Sequence, residues 1–328
     1  MAESGVRGAI DVGSAVKTVK AEIGRTVVGY ENQVEDFLIC LLTDGHILME
    51  GVPGVAKTTL SKAFAAVCEL SYRRIQFTQD LLPSDITGHF FYDQKAGQFE
   101  VRKGPIFADL LLADEINRAP PKTQSALLEA MQEKQVTIEG TTFKLPDPFM
   151  VIATLNPIET EGVYPLPEAQ VDRFMIKSHM DYLDEKGESD ILRMKSHEDQ
   201  VLNAVVTRSA IEKMQEDARR VFVHDSIFDY IRDIARATRA VDDLELGLSP
   251  RGAIHLLQVT QAQAYLHERG YVIPDDVKAA AHKVVDHRLI LSPEAEMEGL
   301  TRAGITDAVL GSVSVPKGDF DQRKKKKE

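Results

Sequence analysis

The sequence GVPGVAKT, residues 51–58, decides the fold of this chain. It lies between an apolar run at 47–49 and a segment at 59–70 whose apolar residues recur at helical spacing. A strand, a glycine-bearing loop and a helix in that order form a phosphate site, because the loop N–H groups and the positive helix end face one concavity. The phosphate-binding residues predicted here are Gly51, Pro53, Gly54, Val55, Ala56, Lys57, Thr58 and Thr59.

Two side chains of this loop carry the expected chemistry. Lys57 is placed to reach the β and γ phosphates of a nucleoside triphosphate, and the Thr58 hydroxyl to bind a magnesium ion. The usual string, G-x-x-x-x-G-K-[ST], has a second glycine where Ala56 stands here. Alanine is expected to fit only if its φ is negative and the loop leaves room for a methyl group. The alternative for the whole stretch is a turn between strand and helix that binds no ligand.

Two further apolar runs lead into polar side chains. Residues 110–113 are followed by Asp114 and Glu115, and residues 149–153 are followed shortly by Asn156. Continuous apolar runs are typical of central parallel strands, whose carboxyl ends meet at one edge of the sheet. The sequence therefore predicts an α/β core with a doubly wound parallel sheet and a ligand site along that edge.

The polar residues at this edge suit triphosphate hydrolysis. Asp114 can hold magnesium through water, and Glu115 can polarise the attacking water as a general base. Asn156 can orient the same water and contact the γ phosphate. The alternatives are a solvated acidic pair for the two carboxylates and, for Asn156, a cap on the turn before Pro157.

Three arginines are candidates for neutralising charge on the γ phosphate: Arg118, Arg173 and Arg251. Arg251 follows a serine–proline pair that is typical of a helix start, so its side chain is expected in a first helical turn. Nothing in the spacing directs Arg173 toward Lys57 of the same chain, and a reach to a neighbouring subunit would explain it. For each arginine taken alone, a surface salt bridge is the alternative.

Hairpins and a helical domain complete the predicted organisation. Residues 86–107 and 135–145 carry apolar and β-branched residues on both sides of a turn, which is typical of a hairpin. From residue 184 helical patterns take over, at 211–221, 227–240, 250–269 and 275–291. We therefore assign residues 1–183 to the α/β core, 184–315 to a small all-helical lid and 316–328 to a disordered basic tail.

A turn at residues 27–29 stands ahead of the phosphate-loop strand. The backbone of Val28 and Gly29 is predicted to lie against an adenine ring. Packing in the core is the alternative for the valines.

The composition limits the classes of partner. With 328 residues, 43% hydrophobic and 27% charged, the chain is typical of a globular protein with two domains. A formal net charge of −12 argues against a general nucleic-acid or anionic-membrane surface. No run approaches the ~20 apolar residues of a membrane span, and residues 1–16 lack the apolar stretch of a signal peptide. Cys40 and Cys68 are expected to be buried free thiols of a cytoplasmic protein.

Together these motifs resemble the AAA+ ATPases and, within them, the MoxR family. The resemblance is carried by GVPGVAKT, by LLLADEINRAPPKTQSALLEAMQE at 110–133, by ATLNPIETEGVYPLPEAQVDRF at 153–174 and by LSPRGAIHLL at 248–257. It runs from residue 27 to residue 257, is weakest at 185–205 and after 291, and makes the alanine at position 56 a family trait.

The resemblance implies a role for each matching residue. Asp114 and Glu115 resemble Walker B, Asn156 resembles sensor 1, and Arg251 resembles sensor 2. Arg173 resembles the arginine finger that acts on the neighbouring subunit. The hairpin within 86–104 resembles the helix-2 insert of this clade. The hairpin at 135–145 resembles the one that precedes sensor 1 in the family. Because such inserts move the lid, the resemblance allows sensor 2 to act in trans as well.

The function implied by the resemblance is Mg²⁺-dependent ATP hydrolysis in a homo-oligomeric ring, expected to be a hexamer, that remodels, matures or activates other proteins. A partner with a von Willebrand factor A domain is expected. A chelatase-type subunit for metal insertion and a nucleic-acid motor of the same clade are the alternatives. The net charge of −12 and the lack of a basic, aromatic-interleaved stripe weigh against the motor. An inactive scaffold is disfavoured because Lys57, Asp114, Glu115 and Asn156 are all present.

Overall fold

The computed structural model describes residues 12–158, 162–195 and 200–321. The helices are α1 (Val12–Ile23), α2 (Glu31–Leu42), α3 (Lys57–Val67), α4 (Pro83–Thr87), α5 (Pro121–Glu133), α6 (Glu168–Val171), α7 (Glu185–Lys195), α8 (Arg208–Arg219), α9 (Asp225–Thr238), α10 (Pro250–Leu266), α11 (Pro274–Val285), α12 (Pro293–Met297) and α13 (Arg302–Ser312). The strands are β1 (Ile47–Gly51), β2 (Tyr72–Gln76), β3 (Gly88–Asp93), β4 (Gln98–Lys103), β5 (Leu110–Asp114), β6 (Gln135–Ile138), β7 (Thr141–Lys144), β8 (Met150–Leu155), β9 (Ile176–Met180), β10 (Leu244–Leu246) and β11 (Ile290–Leu291). The basic end of the predicted tail, 322–328, lies outside the described residues, and so do residues 1–11 at the start of the chain.

The core is built on a five-stranded sheet with the order β2-β5-β8-β1-β9. All neighbouring strands are parallel, and Ile47, the first residue of β1, pairs with Ile152 on one side and Ile176 on the other. The prediction of an α/β core with a doubly wound parallel sheet is confirmed. The phosphate-loop strand lies inside the sheet, beside the strand that ends near Asn156.

The continuous apolar runs exist because both faces of the sheet are covered. In β5, Leu110 and Leu112 belong to the core packed by α1 to α3, whereas Leu111 and Ala113 belong to the core packed by α5. All four side chains are fully buried. Successive side chains of a strand point to opposite faces, so each run must be apolar throughout.

The helical lid continues the core on the α1 to α3 side of the sheet, because buried residues of α8 to α11 belong to the same apolar cluster. Ser249 caps α10 by accepting a hydrogen bond from the Gly252 N–H, and Pro274 begins α11, as the sequence predicts. Helix α11 ends at Val285, before the predicted 291, because a 3₁₀ turn and β11 follow it.

Strands β10 and β11 pair antiparallel, which the sequence analysis does not predict. They have three and two residues, too few for an apolar pattern to reveal.

Ion pairs with buried carboxylates join the lid to the α/β core. Lys283 of α11 lies 2.6 Å from Asp36 of α2, whose other carboxylate oxygen accepts a hydrogen bond from Ser178. Arg208 of α8 lies 2.5 Å from Asp109, just before β5. Burial raises the pKa of Asp36, an effect that the nearby Lys283 charge opposes. The lid is therefore fixed to the core by charge pairs as well as by apolar packing.

The hairpins and the two cysteines agree with the sequence predictions. Strands β3 and β4 pair as one hairpin, and β6 and β7 as another. Cys40 and Cys68 are buried free thiols. Across the described ranges, no helix has both the length and the apolar character needed to cross a membrane.

Buried His46, just before β1, predicts a pH-dependent stability. Its Nε2 contacts the Met131 carbonyl oxygen at 3.1 Å and its Nδ1 accepts from the Val151 N–H at 3.0 Å, so the neutral ring bridges α5 and β8. Burial lowers the pKa of His46 from 6.5 to about 4. Between those values the unfolded chain binds more protons than the folded one, so the free energy of unfolding falls as the pH falls through that window.

We expect His46→Gln, which keeps one donor and one acceptor but does not titrate, to reduce the loss of stability between pH 7 and pH 5 by roughly 2 kcal/mol. Urea unfolding at both pH values measures this. The same exchange at the exposed His89 is the control. An unchanged pH dependence in His46→Gln would contradict the prediction.

Candidate nucleotide-binding site

The phosphate loop joins the carboxyl end of β1 to the first residue of α3, which is Lys57. Lys57 Nζ donates to the Gly51 carbonyl oxygen at 2.5 Å and to that of Leu155 at 3.4 Å. The lysine thus spans the loop from its own strand to the end of β8. Gly54 has a φ of +87° and open space where a Cβ would stand, so the backbone is accessible there. Thr58 follows Lys57 in the first turn of α3.

The expectation that Ala56 has a negative φ is wrong. Its φ is +61° and its ψ is 20°, in the left-handed region. The chain turns left-handed here immediately before it enters the right-handed helix. A residue with a Cβ loses about 1–2 kcal/mol in that region. The left-handed position therefore does not favour alanine. It accommodates alanine at an energetic cost, and alanine has the smallest side chain that carries a Cβ.

Asp114 is the last residue of β5 and is 8% exposed. Its Oδ1 accepts a hydrogen bond from Thr154 Oγ1 at 2.6 Å. Its Oδ2 accepts from Nε and Nη2 of Arg74 in β2, at 3.0 and 2.7 Å. The carboxylate is held by strands on both sides of β5, so its orientation is set by the sheet itself.

Glu115 follows with a φ of +55°, a second left-handed position at this edge. Its N–H donates to Thr154 Oγ1 at 2.8 Å. Its Oε2 accepts from Gln76 Nε2 at 2.6 Å and from Arg118 Nη1 at 3.0 Å. The interpretation of the two carboxylates as a merely solvated acidic pair is therefore wrong, because both have specific partners.

Asn156 directly follows β8 and is 4% exposed. Its Oδ1 accepts a hydrogen bond from the Ile158 N–H at 3.3 Å, so the side chain caps the turn around Pro157. The preceding residue is Leu155, whose carbonyl oxygen Lys57 contacts. Lys57, Asp114, Glu115 and Asn156 are thus brought to one edge of the sheet.

The turn predicted to meet an adenine ring lies between α1 and α2. Val27 is buried in the core, whereas Val28 is half-buried and Gly29 is exposed. Gly29 has a φ of +82°, and a Cβ at that position would lie 2.7 Å from Leu183 Cδ2. Val27 therefore takes the packing role, and the adenine contact of Val28 and Gly29 stays a prediction.

Arg173 and Arg251 lie away from these residues and close to each other. Both line a cavity of about 150 Å³ that also contains His46, Met175 and His255. Arg173 Nη1 donates to the Leu128 carbonyl oxygen at 2.8 Å. Arg251, in the first turn of α10, lies 3.6 Å from Asp172 Oδ2.

This cavity lies at the amino ends of the strands, whereas the phosphate loop lies at their carboxyl ends. The Met175 N–H donates to the carbonyl oxygen of His46, which immediately precedes β1. Strand β1 has five residues, so about 16 Å of sheet separates the two edges. Arg173 and Arg251 are therefore remote from Lys57 of their own chain. Arg118, the third candidate, is the arginine that contacts Glu115.

Sequence reasoning missed Arg74, Gln76 and Thr154, which hold the two carboxylates. Arg74 and Gln76 stand two residues apart near the end of β2, so they share one face of the strand. Polar residues at alternating positions near the carboxyl end of a strand could have indicated, from the sequence alone, that Arg74 and Gln76 face the site. Which carboxylate each one contacts depends on β2 lying beside β5, which pattern alone does not give.

The comparisons with known proteins agree with this geometry. Residues 46–176 match the family described as ATPase family associated with various cellular activities (AAA), and residues 236–308 match the AAA lid domain. The chain is thus an AAA-type ATPase core followed by its lid. It belongs, more narrowly, to the MoxR family of AAA+ ATPases.

The relatives cover most of the chain. Chaperone MoxR1 of Mycobacterium tuberculosis is 41% identical over 90% of this chain and 81% of its own length. YeaC of Bacillus subtilis is 46% identical over 90% of this chain and 92% of its own. The crystal structure of a candidate ATPase from Cytophaga hutchinsonii has a TM-score of 0.88 and 44% identity, and the match covers 93% of this chain and 96% of that one.

Replacing Ala56 by glycine is expected to remove the strain at this left-handed position. We expect Ala56→Gly to raise the free energy of unfolding by roughly 1 kcal/mol and to leave nucleotide affinity unchanged. Ala66→Gly, at an exposed position of helix α3, which follows Ala56, is the matched control and is expected to lower stability by about 0.5–1 kcal/mol. Denaturant unfolding and nucleotide titration measure both. Destabilisation by both exchanges would contradict the prediction.

Proposed function

We propose that this chain hydrolyses ATP, with Mg²⁺, between the subunits of a homo-oligomeric ring and uses that hydrolysis to remodel or activate partner proteins. The observation that carries the proposal is the separation of the two halves of the site. Lys57 and Glu115 lie at one edge of the sheet, and Arg173 and Arg251 at the other. A complete site then needs the carboxyl edge of one subunit and the amino edge of the next.

The residues at the carboxyl edge fit ATP and magnesium. Left-handed Gly54 and Ala56 give the loop the backbone of an anion-binding concavity, and Lys57 adds a positive charge. The Thr58 hydroxyl is the kind of hard oxygen ligand that Mg²⁺ prefers, and the Asp114 carboxylate can hold the ion through water. When bound, the metal would neutralise charge on the phosphates. Glu115 would act as general base and Asn156 would orient the attacking water.

The residues at the amino edge fit a role in trans. Arg173 Nε is buried and, within the part of the chain that the structure describes, has no hydrogen-bond partner. Arg251 is half-exposed, with 46% of its side chain accessible. Two cations in one cavity suit the charge that develops on a γ phosphate.

Contacts between unlike faces repeat head to tail and close into a ring when the rotation allows. We propose a hexamer on the resemblance to the MoxR family. The proposed function also places the protein in the cytoplasm, where ATP is available. The buried free thiols of Cys40 and Cys68 suit that compartment.

The proposed contact with client proteins is the β3–β4 hairpin. Tyr92 and Phe99 pack edge to face with ring centroids 5.2 Å apart, yet they are 53% and 70% exposed. Exposed aromatic side chains on a protruding hairpin suit a protein contact. A relative named Chaperone MoxR1 supports a protein client, and the family resemblance supports a partner with a von Willebrand factor A domain. The chelatase-type alternative has the same site residues and differs in its partner, whereas the net charge of −12 weighs against the nucleic-acid motor.

Steady-state ATP hydrolysis measured against protein concentration tests the proposal. We expect activity per subunit to rise with concentration, because assembly completes the site. Arg173→Ala is expected to lower turnover by on the order of 10³-fold while nucleotide binding is kept, since the arginine meets only the neighbour's phosphate. Glu115→Gln is expected to bind nucleotide and fail to hydrolyse it.

Arg232→Ala is the matched control, because within the described residues Arg232 makes exposed ion pairs only with Asp229 and Asp233 of its own helix. It is expected to hydrolyse ATP like the unmodified chain. Sizing of each variant with ATP accompanies the assay. Turnover that is independent of both concentration and Arg173 would contradict a site shared between subunits.

A further inference from the structure

Arg288 is a buried lid arginine that the proposed chemistry does not use. It ends the 3₁₀ turn after α11 and is 6% exposed. Burial lowers the pKa of its guanidinium to about 10, so it is still charged at neutral pH. A buried charge is retained only when its partners compensate for the loss of water.

The partners of Arg288 lie on both sides of Arg173. Nε donates to Asp172 Oδ1 at 2.7 Å. Nη2 donates to the carbonyl oxygens of Asp172 at 3.2 Å and Phe174 at 2.6 Å, and Nη1 to that of Met175 at 3.4 Å. One guanidinium therefore bonds the residue before Arg173 and the two residues after it.

The same guanidinium is fixed within the lid. It donates to the Val284 carbonyl oxygen, to His255 Nδ1 at 2.6 Å, and contacts His287 Nε2 at 2.7 Å. His255 accepts this bond as a neutral ring, because burial and the Arg288 charge lower its pKa to about 3. The rigid fork of an arginine suits such a set of acceptors, and the single ammonium of a lysine does not.

Asp172 joins this arrangement to the other arginine of the cavity. Its carboxylate meets Arg288 Nε, Ser249 Oγ at 3.3 Å and Arg251 Nη1 at 3.6 Å. Ser249 and Arg251 begin α10, so two separate parts of the lid hold one carboxylate. A movement of the lid must displace this carboxylate or break its bonds.

We propose that Arg288 is a positioning residue for hydrolysis at the neighbouring subunit: it fixes the backbone around Arg173 to the lid, so that lid movement sets the position of Arg173. This inference rests on the proposed trans role of Arg173. Arg288 touches no substrate and acts through the segment 172–175. The lid of one subunit thereby controls the site of the next.

Arg288→Lys tests the inference, because lysine keeps the charge and loses the fork. We expect turnover at saturating ATP and saturating protein to fall by about 10- to 100-fold, as for a misplaced catalytic group, with nucleotide affinity and ring size unchanged. Asp172→Asn removes the carboxylate charge at nearly constant shape and is expected to have the same effect. It serves as the second variant if Arg288→Lys does not fold.

Mixed rings separate a positioning role from general damage. Lys57→Ala subunits cannot use their own nucleotide, but they can offer an intact Arg173 and Arg288 to a neighbour. We expect them to restore hydrolysis to Arg288→Lys subunits and to Arg173→Ala subunits. A Lys57→Ala/Arg173→Ala double variant is expected to restore neither.

Lys283→Met is the matched control, since Lys283 is a half-buried lid cation that also pairs with a buried carboxylate across the lid–core boundary, that of Asp36, away from segment 172–175. It is expected to lose stability and keep its turnover. Normal turnover in Arg288→Lys, failure of Lys57→Ala subunits to restore the lost turnover, or an equal loss of turnover in Lys283→Met would overturn the inference.

If Arg173→Ala alone kept full activity, both this inference and the proposed function would fail. If Arg173→Ala lost activity and Arg288→Lys did not, only this inference would fail.

Discussion

The parallel direction of all strands in the central sheet is the constraint on which the site depends. Because β1, β5 and β8 run the same way, their carboxyl ends bring Lys57, Asp114 and Asn156 to one edge. The same constraint sends Arg173, which precedes β9, to the opposite edge. A sheet with any of these strands reversed would mix the two groups, and the separation that favours a shared site would be lost.

Two residues at the carboxyl edge of the sheet have strained backbone conformations, and hydrogen bonds around them hold the chain there. Ala56 and Glu115 both have positive φ values, although neither is glycine. Such positions persist where surrounding contacts over-determine them, and they gather at functional sites. Thr154 supplies much of that support, since its hydroxyl donates to Asp114 and accepts from the Glu115 N–H. The orientation of the carboxylates is therefore set by hydrogen bonds from the protein itself.

Charged groups that are buried from water join the lid to the α/β core. Asp36 and Arg288 are almost fully buried, and each has its partner on the other side of the lid–core boundary. Removing one member of such a pair leaves an uncompensated buried charge, which is more costly than losing an apolar contact. The lid is thus coupled to the segment around Arg173 and not merely packed against it.

The sequence by itself determined the α/β class, the strand ends that carry Lys57, Asp114, Glu115 and Asn156, and the hairpins, because apolar period and turn residues are local properties. It gave the wrong φ at Ala56, since a backbone dihedral follows from how the loop enters α3 and not from the residue type. The partners of the carboxylates, Arg74 and Gln76, and the contacts of Arg288 came only from tertiary structure. Strand order and lid docking bring together residues distant in the chain, and no local pattern records which ones meet.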